Sequence, residues 1–392
     1  MVQMIKKKKV CVITGSRADY GILSNLLKEL QISNHFDSKV IVTCMHLIPK
    51  YGNTYKEIIK DKINIYKKIK LPIYGDKVSD ISRATGYAVD KFTIELNKIN
   101  PDFVIILGDR FEALSFAISS LFLKIPIIHI HGGESTYALI DDSIRHSITK
   151  MANIHFVSNK FYGKRVISMG EDPKNVFVTG SLALDNMKKM KYFSKKYIEN
   201  NLNFKLGKKN IIFTLHPETL GNNILQKRIK PILKNLKKLK DTKIIFTIPN
   251  VDMGNKYIYK AIKDFTKKNK VNSILVKSMG QELYFSVLKF VDLVIGNSSS
   301  GIIEVPSFNI PTINIGNRQR GRLKSKSVID YDFTKDNFEQ KLKKGLSKSF
   351  IKKIYKNKNP YYKKNSTKLM ISLMKKINFS NGTQKEFYEK KN

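Results

Sequence analysis

The sequence predicts an α/β fold made of two doubly wound, Rossmann-like domains facing each other across a cleft. Three observations predict it. Short β-branched runs alternate with amphipathic helical stripes, the rhythm of a parallel sheet covered by helices on both faces. The alternation lapses once, over the polar and basic stretch 184–209, and then starts again. A length of 392 residues also exceeds what one ordinary core accommodates.

In the first half, Val10 to Thr14 reads as a strand broken by Gly15-Ser16-Arg17. A stripe of Ile22, Leu23, Leu26, Leu27 and Leu30 then recurs at helical spacing. This is the first β-turn-α unit of a doubly wound sheet, and its turn carries Arg17 and Asp19 without a GxGxxG fingerprint. Lys39 to Cys44 predicts a second strand, followed by Met45-His46-Leu47, and Val78 to Leu96 predicts a helix. The stretch 102–146 carries two apolar strands separated by a helix over Glu112 to Leu123. Further strands are predicted over Ala152 to Ser158 and Asn175 to Ser181. The second half offers Ile211 to Leu215, Lys243 to Ile248, Ser273 to Val276, Leu293 to Ile295 and Thr312 to Ile315 as strands. A helix over Asn223 to Lys240 contains Pro231, which predicts a kink or a new segment there. Beyond Lys324 the chain is lysine-rich, yet Leu369, Met370, Leu373, Met374 and Ile377 form a helical apolar stripe with Ser366-Thr367 as its cap. The last dozen or so residues read as disordered. These patterns divide the chain into domains 1–184 and 185–365, with helix 366–378 joining the first.

An apolar share of 42% with 27% charged residues describes a globular chain. The formal charge of +40 raises the possibility of a phosphate-bearing partner. The lysines are scattered and no nucleic-acid module is present, so solvated helix faces account for most of it, with any steering strongest after residue 185. Cys11 and Cys44 lie in apolar runs, outside any CxxC or Cys/His cluster, which fits a reducing compartment without a structural zinc. No run approaches the ~18 apolar residues of a membrane span, and the N-terminal apolar run is too short for a signal peptide. A cytoplasmic protein is the expectation.

Ionisable residues gather in 102–146 as nowhere else. The first strand there ends in Gly108-Asp109-Arg110 and the second in His129-Ile130-His131-Gly132-Gly133-Glu134. Open α/β sheets bind ligands beyond the carboxyl ends of their strands, which gives Asp109 a functional reading besides that of a helix cap. Alternation puts His129 and His131 on one face, so that one of them is a candidate core histidine. Asp141 and Asp142 open a helix on which Arg145 and His146 share the face of Asp142; a surface ion pair is the plain alternative. Several carboxylates and histidines at one sheet edge suit proton abstraction and donation. In the second half, Gly296-Asn297-Ser298-Ser299-Ser300-Gly301 follows a strand and precedes a helix, a natural phosphate cradle. Glu304 is placed to accept from a ribose diol, Arg318 and Arg320 could pair with phosphate, and His216 ends a strand so as to project into the cleft.

At these residues the chain resembles the hydrolysing UDP-N-acetylglucosamine 2-epimerases of sialic-acid and related nonulosonic-acid synthesis. The resemblance runs through GSRADYG, LGDRFEAL, HIHGGE, IDDSIRHSITKMA, LHPET, GNSSSGIIEVPSF and GNRQRGR, each weak alone and specific in this order. It implies the GT-B fold, with the C-terminal helix crossing back to the first domain. It implies that Asp109, Asp141 and Asp142 are active-site carboxylates and that Arg110, Arg145 and Glu134 bind or support the sugar. His216 would stabilise the departing nucleotide. Ser298 and Ser299 would hold the diphosphate, Glu304 the ribose, and Arg17 and Arg318 the phosphate charge. Uracil would lie against Met279 to Leu283.

One departure stands out. Many family members carry a glutamate 22 residues after the GD aspartate, and here that position is His131. Either His131 or Glu134 takes over an acid–base role, or the chain acts on a modified sugar. The loop STYAL that follows would shape the sugar pocket. The implied reaction removes the C2 proton, expels UDP from C1, and hydrates the resulting glycal to N-acetylmannosamine. No metal and no redox cofactor enters this scheme. Alternatives are the same chemistry on UDP-N,N'-diacetylbacillosamine, a non-hydrolysing epimerase, and a GT-B glycosyltransferase, against which the proton-transfer cluster speaks. The expected partners are a UDP-sugar and further copies of the chain (a dimer or tetramer), with neither nucleic acid nor membrane.

Overall fold

A computed structural model describes residues 6–73, 78–137, 139–216, 224–247, 255–277, 279–355, 357–379 and 382–389. Two compact units emerge. The first comprises Met1–Glu134, Asp141–Lys188 and Tyr361–Asn392; the second comprises Ser135–Ile140 and Lys189–Pro360.

The first unit is built on seven parallel strands: β1 (Lys8–Thr14), β2 (Phe36–Thr43), β3 (Ile65–Ile69), β4 (Phe103–Leu107), β5 (Ile127–Ile130), β6 (Ile154–Val157) and β7 (Val176–Val178). Their order is β3-β2-β1-β4-β5-β6-β7. Central strands of such a sheet are buried on both faces and read as continuous apolar runs. Val10 and Val12 of β1 point into one core with Leu23, Leu26 and Leu30, while Cys11 and Ile13 point into the other with Phe92, Phe116 and Ile148. Each fully buried Leu, Ile or Phe stabilises by about 1.5–3 kcal/mol, so the register Val10↔Phe103 and Val12↔Ile105 is fixed by which side chains must stay dry.

The second unit carries six parallel strands: β8 (Lys209–Thr214), β9 (Thr242–Thr247), β10 (Ser273–Val276), β11 (Leu293–Gly296), β12 (Thr312–Ile315) and β13 (Val328–Tyr331). They are ordered β10-β9-β8-β11-β12-β13. In both sheets the strand order therefore reverses once, between β1 and β4 and between β8 and β11. Ligands of doubly wound sheets bind beyond the strand ends at such a switch point.

Strands β3 and β13 depart from the sequence reading, which contained neither. β3 is an edge strand whose Lys67 and Lys68 face solvent, so its apolar alternation is hidden. β13 closes the opposite edge of the second sheet inside the lysine-rich stretch. Pro231 starts no new segment but lies within one helix, Ile224–Lys237, and Asn223 falls outside the described residues, as does Ile248. Stretch 184–209 holds most of one helix, Leu182–Lys189, and all of another, Lys195–Leu202.

The helix Ser366–Lys376 packs Met370 and Met374 into the core with Leu23 and Leu26. Its two ends are satisfied from the same unit. Asp185 accepts from the Thr367 N–H and hydroxyl at 3.2 and 2.6 Å. Lys8 Nζ donates to the carbonyls of Met374, Lys375 and Ile377 at 3.2, 3.1 and 2.7 Å. The cap is Asn365 rather than Ser366-Thr367. Nor is the whole tail disordered: Lys385 pairs with buried Glu171, and the Tyr388 N–H donates to Gly170 O at 3.0 Å.

Candidate active site

In the first unit the polar residues beyond β4 and β5 converge on one arginine. Arg145, on the helix Ile140–Met151, is 1% exposed. It binds the Asp109 carboxylate, donates to Asp142 Oδ1 at 3.1 Å and donates to the Glu134 carbonyl at 3.0 Å. A buried guanidinium must be paired, and here the last residue of the β5 turn, the second residue after β4 and its own helical neighbour pair it together. Asp109 and Asp142 stay half-buried, with side chains 23% and 30% exposed, so each carboxylate keeps a solvent-facing side. His146 Nε2 stands 3.6 Å from Asp142 Oδ2. Asp141 is half-buried one position earlier.

The two histidines of the β5 end do different things. His129 is fully buried, with ring nitrogens 3.1 Å from Thr149 Oγ1 and 2.8 Å from the Gly108 carbonyl. Burial pushes its pKa down to about 3, so it is a neutral core residue. His131 does not share its face by strand alternation, because the strand stops at Ile130 and His131 adopts a left-handed φ of +67°. It turns toward Glu134, whose Oε1 lies 3.7 Å from His131 Nδ1 and accepts from Ser158 Oγ at 3.0 Å.

A second polar group flanks the β1 turn. Arg110 Nε donates to Glu112 Oε1 at 2.7 Å, and Glu112 is 2% exposed. Asp19 lies beside them; burial raises its carboxyl to about 6 against the pull of Arg110. Arg17 is bound by Glu57, at 2.8 Å from Nη2.

In the second unit the organising residue is Asn297, to which the sequence reading gave no role of its own. Gly296 ends β11 with φ +140°, and a Cβ there would stand 1.7 Å from the Thr214 carbonyl of β8, so only glycine allows the two strand ends this approach. The buried Asn297 amide then accepts from the His216 N–H at 2.7 Å and donates to the His216 carbonyl at 2.8 Å. Its own carbonyl accepts from Arg318 Nη1 at 3.0 Å and from Gln319 Nε2 at 2.9 Å. Burial, and then the neighbouring Arg318 charge, hold the His216 pKa well below the usual histidine range. Ser298 and Ser299 are half-buried in the turn that follows. The helix behind them is a single turn, Ser300–Ile303, and Glu304 is its C-cap. Tyr284 and Ser300 share a 2.9 Å hydrogen bond. Arg320 is exposed, and Tyr137 N–H donates to the Arg318 carbonyl at 3.2 Å. Pro217, Glu218, Ser278 and Ala138 lie outside the described residues. Among the described residues no group of His, Cys, Asp and Glu has the arrangement to hold a metal ion, and no helix is long and apolar enough to cross a membrane.

A family model described as UDP-N-acetylglucosamine 2-epimerase matches residues 28–375. The chain belongs to the UDP-N-acetylglucosamine 2-epimerase family. Among its relatives is a GDP/UDP-N,N'-diacetylbacillosamine 2-epimerase (hydrolyzing) of Campylobacter jejuni, 39% identical over 88% of this chain and 89% of that protein. Another is the polysialic acid biosynthesis protein P7 of Escherichia coli, 37% identical over 97% of both chains. The crystal structure of the UDP-GlcNAc 2-epimerase from Neisseria meningitidis bound to UDP-GlcNAc superposes with a TM-score of 0.79 at 20% identity, covering 93% of this chain and 99% of that one. The fold is thus the GT-B-like arrangement of two Rossmann-like domains found in this epimerase family.

The residues missing from the sequence reading are Asn297 in its gripping role, Gln319, Ser158 and Glu112. Asn297 and Ser158 carry one local signal, a place one position beyond a strand end, whereas Glu112 and Gln319 lie farther on; the partners of Asn297, Gln319 and Ser158 lie at distances in the chain that no local pattern reveals.

Proposed function

We propose that this member of the epimerase family is a hydrolysing UDP-N-acetylglucosamine 2-epimerase that releases N-acetylmannosamine and UDP. The observation that carries the reading is the gathering of Asp109, Asp142 and the Glu134 turn on Arg145, a constellation suited to moving protons at a sugar carbon. A glycosyltransferase has no need of a base at C2.

In this reading Asp109 takes the C2 proton. The C2–H electron pair forms the C1–C2 double bond, and the C1–O pair leaves with UDP. Water then adds at C1 and a proton returns to C2 on the opposite face, giving the free manno sugar. Asp141, Asp142, Arg110 and Arg145 hold the sugar. In the second unit, Ser298, Ser299, Arg318 and neutral His216 receive the diphosphate, whose negative charge favours protonation of His216 as UDP departs. Glu304 receives the ribose hydroxyls, and Arg17 adds positive charge for the phosphates once released from Glu57. The same reading makes the protein a cytoplasmic homo-oligomer serving nonulosonic-acid synthesis.

A second substrate, UDP-N,N'-diacetylbacillosamine, is favoured by the name of the Campylobacter jejuni relative. Incubation with each UDP-sugar in deuterated water, followed by NMR, tests both. The expected product is a free manno sugar with deuterium at C2, together with UDP. A free sugar without deuterium overturns the mechanism, and a manno sugar still linked to UDP indicates the non-hydrolysing reaction.

A further inference from the structure

His131, Glu134 and Ser158 form a buried chain of three groups beside the Arg145 cluster. Side-chain exposure is 10% for His131 and 2% for Glu134, and residue exposure is 2% for Ser158. The backbone between the first two has little freedom. Gly133 has φ +74°, and a Cβ there would come within 2.7 Å of the Tyr162 carbonyl. The Gly133 carbonyl accepts from Arg165 at 2.7 Å and the Glu134 carbonyl from Arg145 at 3.0 Å. The turn is therefore clamped from both sides, and it presents the carboxylate of Glu134 at ion-pair distance from His131 Nδ1.

We propose that His131 is the group that returns a proton to C2, with Glu134 and Ser158 as its positioning residues. This rests on the reading of the protein as a hydrolysing epimerase. A buried carboxylate 3.7 Å from Nδ1 stabilises the imidazolium, whose Nε2 exchanges the proton. The Ser158 hydroxyl, donating to the same oxygen, keeps the carboxylate aimed. In the step, imidazolium Nε2–H gives its proton to C2 of the glycal, and the C1–C2 π pair forms the new C–H bond. Water adds to C1 and releases a proton to solvent, and the neutral imidazole takes a proton from solvent. Asp109, on this assignment, acts only in the elimination that comes first.

The two steps separate cleanly in variants. Wild type and His131→Ala are each incubated with the UDP-sugar that the wild type consumes, and UDP, glycal and free manno sugar are followed by NMR. His131→Ala is expected to release UDP and accumulate the glycal, with manno sugar formed at least a hundredfold more slowly. Glu134→Gln should give the same diversion to glycal in smaller measure, with KM close to wild type. His131→Glu, which supplies an acid at the same position, should restore manno sugar formation. Formation of manno sugar by His131→Ala within tenfold of wild type overturns the proposal. So does loss of both UDP release and glycal in His131→Ala that still binds UDP. Should His131→Ala not fold, His131→Gln, closer in shape, is read by the same criteria. A wild type that releases no UDP from either sugar would overturn the epimerase reading itself, a result distinct from these.

Discussion

The side-chain amide of Asn297 grips the backbone of His216 at both its N–H and its carbonyl, with 2.7 and 2.8 Å hydrogen bonds. This couples the ends of β8 and β11, the two strands at the switch point of the second sheet. Asn297→Ala strips both bonds from buried peptide groups, each costing about 1–3 kcal/mol when left unsatisfied. We expect about 2–4 kcal/mol of lost stability in urea denaturation and at least tenfold weaker UDP binding by calorimetry. Unchanged UDP affinity would separate His216 from nucleotide recognition.

Arg145 is the counterpart in the first unit, buried at 1% exposure with two carboxylates on its guanidinium. Arg145→Met leaves Asp109 and Asp142 without their shared cation. Breaking such a pair costs about 3–5 kcal/mol. Denaturant midpoints should record that loss, and Arg145→Lys should recover only part of it, since one ammonium cannot reproduce the fork.

Asp109→Asn keeps an acceptor for Arg145 and removes the base. Turnover should drop by about 10²–10⁴-fold, while UDP binding stays near the wild-type value. Residual activity within tenfold of wild type would move the base to Asp141 or Asp142.

Glu171 makes a prediction about acid stability. Burial alone would raise its pKa, but hydrogen bonds from His155, Lys150 and Lys385 outweigh burial and hold it at about 2, against 4.5 for an ordinary glutamate. A group with a depressed folded-state pKa contributes stability above its unfolded pKa and loses it as pH falls through the folded one. The contribution of about 3 kcal/mol should therefore be complete above roughly pH 4.5 and vanish by about pH 2. Glu171→Gln should flatten the stability curve between those values. A curve as steep as wild type there would place the acid sensitivity elsewhere.

Much of this architecture is written locally. Runs such as Val10 to Ile13 and Val104 to Leu107 are apolar without a break, and only a strand buried on both faces uses such a run. The polar bursts after such runs locate Asp109, His131, Glu134, His216 and Asn297 at strand ends from sequence alone, because a parallel sheet presents those ends together. Two of the four edge strands escape this logic, while the edge strands β7 and β10 do not. β3 and β13 each pair with only one neighbour, so exposed Lys67 and Lys68 are tolerated in β3, where the periodicity is lost, and exposed Asp330 in β13, a strand of only four residues.

What the tertiary structure alone decided is pairing. Strand order brings Asn297 to His216 across 81 residues, and Ser158 to Glu134 across 24. It also takes His131 out of the strand and into a left-handed turn, away from the core position of His129. Helical and strand periodicities reach a few residues along the chain. A hydrogen bond between strand ends depends on which strands lie side by side, and burial then makes that partner obligatory.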